Sequence, residues 1–214
     1  MTINMDTVSY PEKYETYVGI KGGERIFIRP IKPEDEPLMQ ELFDTLSARS
    51  IYFRYFSQMK QLPRDMLVRF SQIDYDQEIA LGAFKKGGQR EKMLGVSRII
   101  AEPGGEESEF SVLVSDPWQG KGIGAALLSH CLYIAKERGY KHIWGLVLPE
   151  NKNMLALGRK LEFKVQRCPG STEYLLKIDL TALEWRDSKI CRIFHSGREA
   201  VDQTKQKCFE IGKD

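Results

Sequence analysis

The sequence predicts an α/β fold: one mixed β-sheet, antiparallel in its N-terminal strands and parallel at a central pair, flanked by helices. Two observations predict it. Short β-branched and apolar segments of strand length alternate along the chain with segments whose apolar residues recur at helical spacing. In addition, a glycine-rich turn leads from one apolar segment into a long helical segment and then into another apolar segment, which is the crossover that parallel strands need.

The first half of the chain carries the antiparallel part. The predicted elements are, in order, a strand at 25–31, helices at 32–47, 48–57 and 64–72, and strands at 78–86, 93–102 and 108–115. The first strand is rich in β-branched and aromatic residues, the first helix begins with proline and acids, and Pro63 precedes the third helix. The turn sequences GGQRE and PGGEE separate the last three strands, so we expect these strands to pair as hairpins.

The second half carries the parallel part. Its predicted elements are a helix at 123–138, a strand at 142–148, a helix at 150–163, and strands at 163–168 and 173–180. The first of these helices ends with a basic residue, Arg138, followed by Gly139, which is typical of a helix C-terminus. The strand after it is almost continuously apolar, as expected of a strand buried on both faces.

We divide the chain into three parts. Residues 24–180 form the predicted domain, and residues 1–23 precede it as a polar N-terminal extension. Residues 181–214 carry more charge, with a helical pattern at Ile190, Ile193 and Phe194. We expect this last part to be a helical or partly ordered appendage.

Composition limits the classes of function. The 32 Lys and Arg residues stand against 30 Asp and Glu, a net charge of +2, whereas a dedicated nucleic-acid binder is expected to carry a strong basic footprint. No apolar run is long enough to span a bilayer, and the N-terminus lacks the apolar region of a secretion signal. The four cysteines show no Cys-x-x-Cys spacing, and no cluster offers the three or four ligands of a metal site. We therefore expect a cytoplasmic protein with reduced thiols, no metal, and no nucleic-acid or membrane partner.

The segment WQGKGIGAALL, residues 118–128, predicts an anion site. A strand that runs through a glycine turn into a helix presents free backbone amides, and glycines let a pyrophosphate approach the backbone. A Walker A loop would need Lys and then Ser or Thr after its last glycine, and a Rossmann fingerprint would need the spacing G-x-G-x-x-G; the segment has neither. It does contain Q/R-x-x-G-x-G/A, at Gln119, Gly122 and Gly124.

This pattern resembles motif A of the GNAT superfamily of N-acetyltransferases, which binds the pyrophosphate of acetyl-CoA. The sequence ENKNMLALGRKLEF at 150–163 resembles the family's motif B, and the resemblance covers roughly residues 25–180. Within the superfamily the chain looks most like the bacterial Pat-type protein lysine acetyltransferases. That likeness is carried by YPEKYE, IRPIKPEDEPLMQELFDTLS, RYF and SEFSVLVSDPWQGKGIG.

The resemblance implies an acetyl-CoA-dependent N-acetyltransferase, with a protein lysine side chain as the expected acceptor. Two alternatives stay open: an enzyme of the same fold that acetylates a small-molecule amine, and a non-catalytic sensor that binds acyl-CoA. The sequence leaves the acyl-chain preference and the oligomeric state open.

The reaction needs a proton acceptor and hydrogen-bond donors for the carbonyl oxygen. We expect Glu109 to be the general base, because partial burial beside Phe110 and Val112 would make its carboxylate a stronger base, and the resemblance implies a glutamate at this position. The other interpretation is a solvent-facing glutamate on a strand. The residues expected to bind acetyl-CoA are Val112, Leu113, Val114, Gln119, Gly120, Lys121, Gly122, Ile123, Gly124, Ala125, Asn151 and Asn153.

Two positions on the motif B helix carry particular expectations. Asn151 matches the family asparagine that contacts the pantetheine arm, although asparagine is also a natural helix N-cap. Many relatives carry a tyrosine on this helix that reprotonates the departing thiolate. The matching position here is Gly158, so no general acid is predicted.

Overall fold

The computed structural model describes residues 10–87, 90–102 and 106–196. Its strands are β1 (Thr16–Gly19), β2 (Arg25–Pro30), β3 (Glu78–Lys85), β4 (Lys92–Ala101), β5 (Glu107–Val114), β6 (His142–Val147), β7 (Lys164–Arg167) and β8 (Tyr174–Asp179). Its α-helices are α1 (Glu36–Asp44), α2 (Ala48–Tyr55), α3 (Arg64–Ser71), α4 (Ile123–Glu137) and α5 (Lys152–Lys160), and residues 189–196 are also helical. Over the described ranges, no helix is long and apolar enough to cross a membrane.

The strands form one sheet in the order β1-β2-β3-β4-β5-β6-β8-β7. All neighbours are antiparallel except β5 and β6, which are parallel and are connected through α4. The predicted mixed sheet with a parallel central pair is confirmed. The strand β1 was not predicted; it lies inside the segment assigned as an N-terminal extension, and its four residues are too few to show a period.

Two hydrophobic cores lie on opposite faces of the sheet. On one face, α4 packs against β3, β4 and β5 through side chains such as Leu127 and Leu128, which are fully buried. On the other face, α1, α2 and α3 cover the strand side chains that point in the opposite direction, for example Phe27 and Ala80. Side chains of one strand alternate between the two cores because successive residues point to opposite faces.

The described part of the C-terminal segment covers the outer side of α4. The Tyr133 ring of α4 stacks on Phe194 at a centroid distance of 4.3 Å and lies 5.7 Å from the Trp185 ring. Ile190 is completely buried in the same core as α4. This cover explains why α4 is apolar on more than one side. The remainder of the predicted appendage, 197–214, lies outside the described residues.

A buried ion pair fixes the start of α1 against β2. The Arg29 guanidinium donates hydrogen bonds to both carboxylate oxygens of Asp35, at 2.6 and 2.7 Å, and reaches Glu91 at 3.0 Å. The amide of Lys32 donates to Asp35 at 2.8 Å. Since Arg29 and Asp35 are almost entirely buried, each charge depends on the other for compensation.

Candidate active site

The sheet opens between its two parallel strands. Pairing between β5 and β6 extends only from Glu107–His142 to Glu109–Trp144. Beyond that point β5 continues to Val114 along β4, whereas β6 continues to Val147 along β8. A V-shaped opening therefore separates the C-terminal halves of β5 and β6, and it leads toward the N-terminus of α4.

Backbone amides of β5 face this opening. The amide of Ser115 donates to Leu94 of β4 at 2.9 Å, and the antiparallel register pairs Val114 with Gly95 and Leu113 with Val96. Because hydrogen bonds alternate along an antiparallel pair, Leu113 is bonded to β4, whereas Val112 and Val114 direct their amides away from it. The opening is thus lined by the amides of Val112 and Val114, and the amide of Leu113 points to the other strand.

The glycine turn between β5 and α4 contains two residues with positive φ. Gly120 and Gly122 have φ values of +73° and +98°, in the left-handed region where a side chain is strained. A methyl group on either would meet no protein atom within 4 Å, so open space lies above the turn. Gly124 is different: it is helical, and a methyl group there would lie 3.5–3.6 Å from Leu157, Val112 and Val114, in ordinary contact.

The first turn of α4 is uncapped. Gly122 is its N-cap residue and offers no side chain, and the first intrahelical bond runs from the Ala126 amide to the Gly122 carbonyl at 3.0 Å. The amides of Ile123, Gly124 and Ala125 therefore precede the helical hydrogen-bond ladder. The side chains of Ile123 and Ala125 are buried, so these residues contribute backbone donors only. Such a helix start attracts anions through its dipole and free amides.

The loop between β5 and α4 is held by the corner between α1 and α2. The Gln119 amide nitrogen donates to the Val114 carbonyl at 3.1 Å and to the Ser50 hydroxyl at 3.2 Å. The hydroxyls of Thr45 and Ser115 lie 2.8 Å apart. Gln119 thus contributes by shaping the turn, since its side-chain donor is directed at the protein.

Lysines surround the indole of Trp118 beside the turn. The ammonium of Lys121 lies 4.1 Å from the ring centroid and that of Lys85 lies 4.9 Å from it. The amide of Lys21 donates to the Lys121 carbonyl at 3.0 Å, which ties the hairpin of β1 and β2 to the same turn. These cations give the surface next to the uncapped helix a positive charge.

The two predicted asparagines differ in their surroundings. Asn151 is the N-cap of α5, and its side-chain oxygen accepts a hydrogen bond from the Met154 amide at 3.1 Å. Its amide nitrogen has no hydrogen-bond partner within the described ranges. Asn153 is exposed on the first turn of the same helix. The N-cap interpretation of Asn151 is therefore confirmed, and this role leaves its donor group free.

Glu109 is at the point where the opening begins, but it is exposed. The expectation of partial burial beside Phe110 and Val112 was wrong, because alternation along β5 turns those two side chains toward α4 and turns Glu109 toward the opposite face. On that face Ser111 is its neighbour along the strand and Trp144 lies opposite it on β6.

The other carboxylates near this end of β5 have partners. Glu107 accepts a hydrogen bond from Lys177 at 2.6 Å, Glu106 forms an ion pair with Lys141, and Glu102 accepts from the Trp144 indole at 3.0 Å. Glu109 forms no hydrogen bond or ion pair with any described residue. It is the carboxylate of this group that is available to a ligand.

Arg54 of α2 is a site residue that the sequence analysis missed. Its guanidinium donates to the Ser111 hydroxyl at 3.0 Å, on the same face of β5 as Glu109. Burial lowers the pKa of this guanidinium, and attraction to the Glu109 carboxylate opposes the change. One signal was in the sequence: arginine at 54 interrupts the aromatic run YFRYF.

Gly158, at the position where many relatives carry a tyrosine, has no room for a side chain. A methyl group on Gly158 would lie 2.3 Å from a side-chain carbon of Leu176, which is fully buried in β8. A side chain here would enter the core and not the opening. Gly158 therefore provides no general acid, and its packing explains why the position is glycine.

Across the described residues, no group of three or more His, Cys, Asp or Glu side chains is arranged to hold a metal ion. Cys131, Cys168 and Cys191 are free thiols, two of them buried, and Cys208 lies outside the described residues.

Comparison with known proteins identifies the class. The model of the acetyltransferase (GNAT) family matches residues 45–163, more than half of the chain. The chain belongs to this family and is an acyltransferase. An acetyltransferase of Pseudomonas aeruginosa is 28% identical over 159 residues, which cover 74% of this chain and 86% of that protein.

Solved structures give the same fold. The GNAT domain of PAT from Streptomyces lividans is 27% identical, with a TM-score of 0.73, covering 80% of this chain and 99% of that one. A phosphinothricin acetyltransferase from Sinorhizobium meliloti, in complex with acetyl-CoA, is 20% identical, with a TM-score of 0.57, covering 71% and 86% of the two chains. The second likeness is one of fold alone.

Proposed function

We propose that this protein is a cytoplasmic, acetyl-CoA-dependent N-acetyltransferase whose acceptor is the side-chain amine of a protein lysine, with Glu109 as the general base. The observation that carries the proposal is the opening between β5 and β6, which is lined by the Val112 and Val114 amides and ends at the uncapped first turn of α4. Backbone donors are therefore present both at the point where an amine would react and at the point where phosphates would bind.

The residues fit acetyl-CoA at both ends. The amides of the α4 first turn and the open space above Gly120 and Gly122 suit a pyrophosphate, and Lys121 and Lys85 add positive charge beside it. The Val112 and Val114 amides suit the polar atoms of an extended pantetheine arm and its thioester. The free amide nitrogen of Asn151 is a further donor for that arm.

Acetyl-CoA supplies an activated acyl group, and the side chains of the protein handle protons and charge. The amide of Val112 donates a hydrogen bond to the carbonyl oxygen on which negative charge develops. Glu109 removes a proton from the ammonium group, directly or through one water molecule, because an ammonium has no lone pair with which to attack. The neutral amine then attacks the thioester carbon: the C–N bond forms, the C–S bond breaks, and the nitrogen loses its second proton to solvent. Solvent returns a proton to the departing thiolate, since Gly158 offers none.

A protein lysine is favoured as the acceptor by two considerations. The sequence resembles the Pat-type protein lysine acetyltransferases, and the GNAT domain of the Streptomyces lividans PAT is 27% identical. Exposed apolar side chains, Tyr52 on α2, Phe56 directly after it and Leu146 on β6, suit contact with a polypeptide.

The test compares Glu109→Gln with Glu106→Gln. Both substitutions remove one carboxylate from the same end of β5, but Glu106 forms an ion pair with Lys141 at the surface and is outside the proposed site. Acetyl-CoA binding is measured by calorimetry, and turnover is measured on lysine-bearing protein and on small amines. We expect Glu109→Gln to bind acetyl-CoA like the wild type and to lose about 10²- to 10⁴-fold in kcat. Glu106→Gln should keep its activity.

Each alternative hypothesis predicts a different outcome of these measurements. Equal losses in the two variants would contradict the role of Glu109. Turnover of small amines without turnover of protein would favour a small-molecule acetyltransferase. Binding of acetyl-CoA by the wild type with no turnover of any amine would favour the acyl-CoA sensor, and no binding would refute the assignment of the glycine turn.

A further inference from the structure

A pocket opens on the face of the sheet that Glu109 occupies. It lies between α1, α2, α3 and the strands β4 and β5, and its cavity volume is about 30 Å³, room for a small group such as one carboxylate. Most of its lining is apolar, from residues such as Phe43, Phe70 and Leu113. Two of its lining side chains are arginines, Arg54 and Arg98, and no lining residue is acidic.

Arg98 is a buried cation without full compensation. It is only 3% exposed. One of its terminal nitrogens donates to the Phe70 carbonyl, whereas the other, Nη1, makes no hydrogen bond to any described residue. Its ion-pair partner is the buried Glu78, at 3.7 Å, which is too far for a hydrogen bond. A buried charged donor without a hydrogen-bond acceptor is costly, so Arg98, which lines the pocket, favours an anion there.

Glu78, the acid next to Arg98, also pairs with a second arginine. Arg69 donates to both carboxylate oxygens of Glu78, at 2.7 and 3.2 Å. Two guanidinium groups, those of Arg69 and Arg98, therefore share one buried carboxylate, and the Arg54 guanidinium adds a further positive charge near Arg98. Burial lowers the pKa of Arg98 to about 10, which still leaves it charged at neutral pH. The pocket thus carries an excess of positive charge.

The pocket adjoins the proposed reaction centre. Ser111, which accepts a hydrogen bond from Arg54, lies directly opposite Arg98 in the pairing of β4 and β5. Glu109 is two residues before Ser111 and on the same face, about 7 Å along the strand. An anionic group bound between the two arginines would thus be held a few carbon atoms from an amine at Glu109.

We propose that the pocket formed by Arg54 and Arg98 binds a carboxylate of the acceptor, and so selects amines that carry a carboxylate nearby. The inference rests on the proposed acetyl transfer. Guanidinium groups bind carboxylates through paired, charge-assisted hydrogen bonds. The carboxylate comes either from an acidic residue beside a protein lysine or from the acceptor molecule itself when it is a free amino acid.

Two matched substrate pairs test this proposal and separate the two sources. The first pair is 6-aminohexanoate and pentylamine, which differ by the carboxylate. The second is a pair of short peptides with one lysine, flanked by glutamate in one peptide and by glutamine in the other. For each pair, the ratio of kcat/KM values with acetyl-CoA is measured for the wild type, Arg54→Gln and Arg49→Gln. Arg49 lies on the same helix but is exposed and outside the pocket.

We expect the wild type to prefer the carboxylate-bearing member of at least one pair by about tenfold to a hundredfold. Arg54→Gln should reduce that ratio to near 1, whereas Arg49→Gln should keep it. A preference confined to the first pair assigns the carboxylate to a small acceptor, and one confined to the peptides assigns it to a neighbouring acidic residue. The proposal is overturned by ratios near 1 for both pairs in the wild type, or by a preference that survives Arg54→Gln.

A binding measurement separates failure of this inference from failure of the proposed function. Calorimetric titration of 6-aminohexanoate in the presence of CoA needs no turnover. Binding by the wild type that is weakened about tenfold in Arg54→Gln, but not in Arg49→Gln, supports the pocket even if no amine is acetylated. Active turnover of pentylamine with no binding preference for 6-aminohexanoate would leave the acetyltransferase assignment intact and refute the pocket.

Discussion

Replacement of Gly122 by alanine separates the two explanations for the glycine turn, and Gly124→Ala is its matched control. The methyl group on Gly122 meets no protein atom, so its cost in the free protein comes only from the φ value of +98°. A left-handed conformation costs a residue with a side chain about 1–2 kcal/mol. At Gly124 the methyl group makes ordinary contacts, and alanine is favoured over glycine inside a helix by about 0.5–1 kcal/mol.

These values translate into opposite thermal shifts. For a chain of this length, 1 kcal/mol changes Tm by about 2–4 °C. We therefore expect Gly122→Ala to lower Tm by about 2–8 °C and Gly124→Ala to raise it by about 1–4 °C. Differential scanning calorimetry measures the shift, and urea denaturation gives the corresponding free energies of unfolding.

Binding of acetyl-CoA distinguishes the variants further. The methyl group on Gly122 projects into the open space in front of the α4 amides, where the pyrophosphate is proposed to bind. We expect Kd for acetyl-CoA to rise by roughly tenfold or more, equivalent to about 1.4 kcal/mol. The Kd of Gly124→Ala should stay close to that of the wild type, since its methyl group faces Leu157 and the sheet.

Two results would refute this reasoning. A Gly122→Ala protein as stable as the wild type would mean that the turn does not hold its left-handed conformation. A protein that is destabilised but binds acetyl-CoA with unchanged Kd would mean that the glycines serve the turn alone and that the coenzyme lies elsewhere.

Three further predictions concern stability and reactivity. Asp35→Ala should lower the free energy of unfolding in urea by about 3 kcal/mol, because it removes the bidentate partner of the buried Arg29. Burial raises the pKa of the Cys131 thiol to about 12, so iodoacetamide at pH 8 should alkylate the half-buried Cys168 and spare Cys131 in peptide mapping. Glu162 has a φ of 64°, and its side chain accepts a hydrogen bond from the first amide of the C-terminal helix. Both Glu162→Gly and Glu162→Ala lose this hydrogen bond, but only glycine relieves the strain of the left-handed backbone. We therefore expect Glu162→Gly to be about 1–2 kcal/mol more stable than Glu162→Ala.

Each of these has a contrary outcome. Unchanged stability of Asp35→Ala would mean that water or Glu91 compensates Arg29 fully. Alkylation of Cys131 as fast as that of Cys168 would mean that α4 opens readily from the sheet. Equal stability of the two Glu162 variants would mean that this residue leaves the left-handed region in solution.

Much of the fold was predictable because its signals are local. Strand and helix periods, proline before α3, and glycine after α4 each act within a few residues. The strand β1 escaped prediction because four residues show no period, and it is held by pairing with β2, a partner that its own sequence does not reveal. The helix at 189–196 showed a pattern, but only its contact with Tyr133 explains which face is buried.

Part of the candidate site was likewise predictable from the sequence, and part depended on tertiary structure. The glycine turn was visible in sequence because glycine, strand and helix are adjacent in the chain, and the backbone at Gly120 and Gly122 has the positive φ values that glycine accommodates. Of the three β5 residues predicted to bind acetyl-CoA, only the register with β4 shows that Val112 and Val114 direct their amides toward the opening. The exposure of Glu109 likewise follows from which face of β5 is turned toward α4.

By itself, therefore, the sequence determined the order of most elements, the mixed sheet and the glycine turn at the start of α4, because each of these depends on residues close together in the chain. Only the tertiary structure decided which amides of β5 face away from β4, that Glu109 is exposed and has no ion-pair partner among the described residues, and that Arg54 and Arg98 meet beside Ser111. These features depend on strand register and on the packing of α2 against the sheet. Both bring together residues that are far apart in the sequence, and the periodicity of one segment does not indicate which other segment it contacts.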